Sequence, residues 1–213
     1  MQLPIPYCGP APNPEQLLLR WNLDPLVLAL LAIAAVWVAT TRTAGVRRGL
    51  LAMGWATLAI AFVSPLCALS SALFSARVAD HALLVAAAAP SLAWGLPEPK
   101  RRGSGPGLWT AAIAHAAALW VWHAPAPYAA ALASDAIYWL MQASLLASGL
   151  LFWRTVREAS PLAAGAALLG TMMQMGLLGA LITFAGRPLY TPHLTTTAAW
   201  GLSPLADQQL AGL

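Results

Sequence analysis

The chain has 213 residues, of which 60% are hydrophobic and only 8% charged, with a formal net charge of +4. An ordinary soluble domain carries roughly a quarter charged residues, so a soluble fold of this composition could not cover its surface, and one membrane-embedded domain is expected. The positive balance does not point to nucleic acid, because the basic residues sit in short clusters between apolar runs, the pattern that orients a chain in a membrane.

The opening MQLPIPYCGPAPNPEQ has no basic residue and no apolar core before Cys8. Neither a signal peptide nor a lipoprotein site is expected, so the first span serves as the targeting signal. Residues 1–23 form an N-terminal tail. Apolar stretches then predict about six spans: residues 24–41, residues 49–70, residues 76–96 closed by Pro97, residues 108–123, residues 135–153, and residues 161–186 after a Ser160-Pro161 cap. Ala124-Pro125-Ala126-Pro127 ends the fourth, since its prolines remove backbone donors and disfavour further helix. Residues 187–213 read as a polar loop ending in a fragment too short to cross, the threshold of a truncated seventh span. The expected architecture is an all-α polytopic transmembrane bundle, with residues 24–186 as its six-helix domain.

The loops alternate in charge. Arg42, Arg47 and Arg48 fall between spans 1 and 2, Lys100, Arg101 and Arg102 between 3 and 4, and Arg154 and Arg157 between 5 and 6. The positive-inside rule therefore predicts an N-terminus outside, with the C-terminal segment also extracytoplasmic. Trp21, Trp94, Trp109, Trp122 and Trp153 fall near span ends, where an amphipathic ring suits the headgroup level.

Orientation gives the reactive side chains a geography. Asp80 and His81 lie one turn into span 3 from its outer end, His123 closes span 4 there, and Tyr138 and Gln142 enter span 5 from the same face. Cys8 lies in the tail and Cys67 in the last turn of span 2, also outward, while His193 and Asp207 lie in the C-terminal segment. Only His115 is deeper, eight residues and about 12 Å from His123 along one helix, and it reads as a helix-to-helix hydrogen bonder. Arg77 and Asp80 can pair at i, i+3 and leave His81 to point inward. His123 reads equally as a ligand or as a cap on carbonyls freed by Pro125 and Pro127.

Cys, His and Met side chains collected on an outer face suit copper. His81 and His123 are the leading candidate ligands, with Cys8, Cys67, Met172 and Met175 behind them. The cluster of Met172, Met173 and Met175 lies mid-span and reads more as flexible packing than as a metal box. Cys8 and Cys67 can form a disulfide, bind metal, or do neither. No Ser/His/Asp set, glycine-rich phosphate loop, zinc-protease spacing or paired-carboxylate site can be assembled, which points away from an enzyme. Asp80, His81 and Gln142 could also line a polar path in a transporter, and a metal-free structural subunit is the third reading.

Several strings in order carry a family resemblance. They are Arg20-Trp21-Asn22-Leu23-Asp24-Pro25, Ser64-Pro65-Leu66, Phe74-Ser75-Ala76, Asp80-His81-Ala82-Leu83-Leu84 and Leu119-Trp120-Val121-Trp122-His123-Ala124-Pro125. Gly149-Leu150-Leu151-Phe152-Trp153, Gly179-Ala180-Leu181-Ile182-Thr183-Phe184 and Pro188-Leu189-Tyr190 follow, then Trp200-Gly201-Leu202-Ser203-Pro204-Leu205 and Asp207-Gln208-Gln209-Leu210-Ala211-Gly212. Over nearly its whole length the chain resembles the CtaG-type cytochrome c oxidase assembly factors. The resemblance implies a multi-pass protein of the bacterial plasma (inner) membrane, in contact with lipids and with the oxidase's membrane subunit. It also implies a role in oxidase maturation, by helping copper reach its buried site from the outer face. His81, His123 and the segment Asp207, Gln208 and Gln209 are the residues it singles out, and Asp80 stands beside them as a further candidate functional residue. Two departures stand out. Family members often carry a His-x-x-x-His pair in span 3 and another in span 5; here Arg77 takes one position of the first, and Tyr138 and Gln142 replace the second. Relatives also continue past the closing string into another span, so the surface around Asp207 is expected to be less constrained here.

Overall fold

A computed structural model describes residues 5–42, 45–97 and 107–213. Lys100, Arg101 and Arg102 lie outside the described residues, which are helical with no strand among them. In chain order the helices are α1 (Pro25–Thr40), α2 (Val46–Val63), α3 (Pro65–Ala72), α4 (Phe74–Ala82), α5 (Ala89–Gly95), α6 (Leu108–His123), α7 (Pro125–Ala133), α8 (Asp135–Glu158), α9 (Pro161–Thr183) and α10 (Pro204–Gly212). A π-helical turn, Leu83–Ala88, joins α4 to α5, so Phe74–Gly95 forms one rod. Among the described residues, four helices are long and apolar enough to cross a membrane: α2, the α4–α5 rod, α8 and α9. The α1 helix is apolar but shorter.

The rod is the most enclosed of the four. Its α5 half packs between α2 and α8, and α4 packs against α3 and α10. The α8 helix also packs on α6 and α7, α9 lies on α6 and α10, and α1 packs on α2.

Proline sets the local geometry of the rod. Pro90 has no N–H, and in an α-helix its ring would collide with the carbonyl four residues back. Widening to the π pattern relieves that clash, and the Ala89 N–H accordingly bonds Leu84 O, five residues back. The π partner of Val85 O would be Pro90, which cannot donate. The Trp153 indole N–H from α8 supplies the missing donor at 2.8 Å. Trp122 likewise turns inward and donates to Ser144 Oγ at 2.8 Å.

Span 2 is shorter than its apolar run suggests. Ser64 caps a new helix through Leu66 N, with Pro65 at the first helical position, so α2 stops at Val63 and α3 begins. Cys67 therefore belongs to the first turn of α3 rather than to the last turn of span 2. The same device recurs after span 4, where Pro125 opens α7 in what reads from sequence as a loop. The C-terminal residues also fold: Ser203 caps α10 and Pro204 starts it.

The short pieces gather at one end of the bundle. There the tail, α3, α7 and the C-terminal segment form a collar around the ends of the long helices. The described arginines between spans sit at the other end, and Arg48 and Arg157 among them close helix termini. Arg48 Nη2 bonds Thr41 O at 2.8 Å beyond α1, and Arg157 Nη1 bonds Ala93 O at 2.8 Å near the end of α5, both favourable to a helix C-terminus.

Candidate functional site

The break between α3 and α4 at Leu73 exposes backbone groups on both sides, and the C-terminal segment satisfies both. The Asp207 carboxylate accepts from Phe74 N at 2.7 Å, from Ser75 N at 3.2 Å and from the Ser75 hydroxyl. Asp207 is thus the N-terminal cap of α4, supplied from far along the chain. Opposite it, Ala72 O accepts from Thr196 Oγ1 at 2.6 Å and from the His193 Nδ1–H at 3.2 Å. With Nδ1 donating to a carbonyl, His193 Nε2 accepts from the Tyr128 hydroxyl at 2.6 Å. Burial pushes the His193 imidazole down to about 4, against the raising effect of Asp207 and of the Ala72 carbonyl. Burial also raises the Tyr128 and Tyr190 hydroxyls, which remain donors. Tyr190 donates to His123 O at 2.8 Å and stacks on Phe74.

Gln208 closes the exit of α9. Its Oε1 accepts from Leu189 N at 2.6 Å and its Nε2 donates to Ile182 O at 3.1 Å. Gln209 is exposed. A Cβ on Gly179 would come within 2.5 Å of Gly212 O, so glycine lets α10 lie against α9. The surface around Asp207 is therefore not loosely constrained: Asp207 is fully buried and engaged with α4.

With its first turn fixed, α4 holds Arg77, Asp80 and His81 inside the bundle. Arg77 and Asp80 are each 1% exposed, His81 2%, and Gln142 of α8 1%. Arg77 Nη1 lies 3.9 Å from Asp80 Oδ2, the i, i+3 pairing read from sequence. The Arg77 guanidinium also sits 5.2 Å from the centre of the Tyr138 ring, a cation–π contact. Gln142 Nε2 donates to Asp80 Oδ2 and to Tyr138 Oη, both at 3.1 Å. Tyr7 stacks on Tyr138 at 4.7 Å. Beside Tyr7, Cys8 is joined to Cys67 in a disulfide that ties the tail to α3. In that form neither sulfur is a thiolate, the form in which cysteine binds metal.

His81 is turned by about 100° from Asp80 around the helix, the angle between adjacent helical positions. Its ring centre lies 5.4 Å from that of His123 at an interplanar angle of 82°. His123 Nδ1 is 2.7 Å from Leu119 O, so Nδ1 carries the proton and Nε2 keeps a lone pair. Both ring nitrogens of His81 are buried without a hydrogen-bond partner, as are Arg77 Nε, Asp80 Oδ1 and Gln142 Oε1. Buried polar atoms are normally paired, so this concentration makes the cluster the candidate site. The ring-centre separation of 5.4 Å is within the reach of two metal–nitrogen bonds of about 2.0 Å each.

The other candidates lie elsewhere. Met172 and Met173 on α9 are 71% and 68% exposed, and Met175 is partly exposed, whereas the histidine pair is enclosed. His115 bonds Ser148 Oγ at 3.1 Å across to α8, the expected helix-to-helix role. Among the described residues no group of three or more His, Cys, Asp or Glu side chains is arranged to hold a metal. Sequence reasoning missed the brace of Tyr128, Tyr190 and His193. The only signal for it was the presence of tyrosines just after prolines in short inter-helical stretches.

No curated protein and no solved structure matches the chain. A family profile, that of the cytochrome c oxidase caa3 assembly factors (Caa3_CtaG), matches residues 107–213, just over half of it. The matched region includes His123, Tyr138, Gln142, His193 and Asp207; the strings around Arg20, Ser64 and Asp80 precede it.

Proposed function

The chain belongs to the cytochrome c oxidase caa3 assembly factor family, and on that premise we propose that it matures the copper site of a haem-copper oxidase from the outer face of a bacterial plasma membrane. His81 and His123 are the ligands through which it handles the ion. The observation that carries this reading is the enclosed imidazole pair, 5.4 Å apart, with both His81 nitrogens unpartnered. Ionisable side chains inside a membrane protein are expensive and mark function, and imidazole is a good copper ligand. The copper ion here is cargo passed to the oxidase's membrane subunit.

The outer-face assignment rests on charge. Six crossings, by α1, α2, the α4–α5 rod, α6, α8 and α9, bring the tail and the C-terminal segment to one side. The 16-residue α1 and α6 rise about 24 Å, a little less than the usual core of about 30 Å, and cross where the bilayer thins or flanking turns help. Arg42, Arg47, Arg48, Arg154 and Arg157 all fall at the end opposite the collar, which the positive-inside rule makes cytoplasmic. The histidine pair then lies in the half of the bundle nearer the outer side.

The test is deletion of the gene followed by assay of the oxidase. Lowered oxidase activity, with lowered copper in the isolated enzyme, is the expected result. Unchanged activity and copper content would overturn the reading.

A further inference from the structure

We infer that the cargo of the His81–His123 pair is monovalent, Cu(I), and that the site rejects Cu(II) and Zn(II); this rests on the reading of the pair as copper ligands. Three features of the surroundings lead there.

The first is ligand number. The pair offers two nitrogens, and no third His, Cys, Asp or Glu joins them among the described residues. Zn(II) takes four ligands in a tetrahedron and Cu(II) favours a tetragonal set. A d10 Cu(I) ion is satisfied by two nitrogens in a linear or bent arrangement, with no further protein ligand.

The second is charge. Both ligands are neutral imidazoles. The carboxylate beside His81, Asp80, meets Arg77 at 3.9 Å and accepts from Gln142 at 3.1 Å through Oδ2, so the charges of Arg77 and Asp80 cancel. The bound ion therefore contributes its whole charge to a buried interior. The cost of burying an ion rises with the square of its charge, so a divalent ion costs about four times what a monovalent one does in the same surroundings.

The third is the position of Arg77, one helical turn before His81 on the same face. Its guanidinium is always protonated and cannot coordinate an ion. Arginine at this place, where a second histidine would make a helical chelate, removes a ligand, which disfavours the ions that need three or four.

The experiment uses the full chain purified in detergent. Cu(I) is titrated anaerobically against a competing chelator, and Cu(II) and Zn(II) are titrated separately. The expected result is one Cu(I) per chain, with Cu(II) and Zn(II) at least about 100-fold weaker. Cu(I) binding falls by at least about 100-fold in His81→Ala and in His123→Ala. His81→Met supplies a soft thioether and retains Cu(I) binding without gaining divalent binding; it keeps the test decisive if His81→Ala does not fold. His115→Ala, outside the pair, leaves Cu(I) binding unchanged. Cu(II) or Zn(II) binding as tight as Cu(I), and lost in His81→Ala, would overturn the inference, as would Cu(I) binding that survives loss of both histidines. The two readings fail separately. Normal oxidase copper in cells lacking the chain removes the functional reading and leaves Cu(I) preference standing, whereas tight divalent binding alongside copper-deficient oxidase removes only the preference.

Discussion

Asp207 shows how one residue can serve a site it does not touch. The resemblance singles it out as functional, and the structure makes it the cap of the helix that carries Arg77, Asp80 and His81. Removing a buried, charged acceptor of three hydrogen bonds leaves two backbone donors unpaired. Asp207→Ala is expected to cost about 2–4 kcal/mol, read as a lower midpoint of thermal unfolding in detergent, with Asp207→Asn intermediate. His193 makes a separate prediction. It is held neutral, with a pKa of about 4 when folded against 6.5 ordinarily. Between those values the unfolded chain takes up a proton that the folded one refuses, so the contribution is complete above pH 6.5 and is lost as pH falls toward 4. The loss reaches at most about 3 kcal/mol. Unfolding midpoints measured at pH 7 and pH 4.5 should differ less in His193→Gln than in the parent chain. Equal shifts in both would remove His193 from the account.

At the scale of elements, the helix-forming stretches were legible because long apolar runs have few alternatives in a membrane. The helix expected as the fourth span, bounded by Leu108 and His123, is found where its run predicts. What hydropathy could not show is where an apolar run breaks. The run through Ser64-Pro65 contains a helix cap and a first-turn proline, and these outrank its apolarity, placing Cys67 in a new helix. Pro90 is a subtler case: it neither ends its helix nor leaves it α, because the π turn absorbs the clash and Trp153 pairs the freed Val85 carbonyl. Trp153→Phe keeps the ring and removes the donor. It is expected to destabilise by about 1–3 kcal/mol, measured by thermal unfolding, and an unchanged midpoint would refute the pairing. The tryptophan reads from sequence as an interfacial anchor because composition cannot distinguish a ring facing lipid from one facing a neighbouring helix.

At the scale of the molecule, the collar end combines three chain segments distant in sequence. Cys8 meets Cys67, Asp207 meets Phe74, and His193 meets Ala72. Single-sequence reading placed these residues on one face through the alternation of basic loops but could not pair them, since no local pattern encodes contacts between segments so far apart. It did anticipate that Arg77 and Asp80 would pair and release His81 inward. The orientation is testable directly: a reporter active only outside the cytoplasm, fused at the tail, should be active, and one inserted near Arg47 should be silent. The reverse pattern would invert the topology.

The central claim is that the enclosed histidine pair serves oxidase maturation. The most direct measurement is the copper-to-haem ratio of oxidase isolated from a deletion strain complemented with the wild-type chain, with His81→Ala or with His123→Ala, each verified to be present in the membrane in equal amount. The account predicts a full ratio with the wild-type chain and a copper-deficient oxidase with either variant. A full ratio with both variants would contradict it.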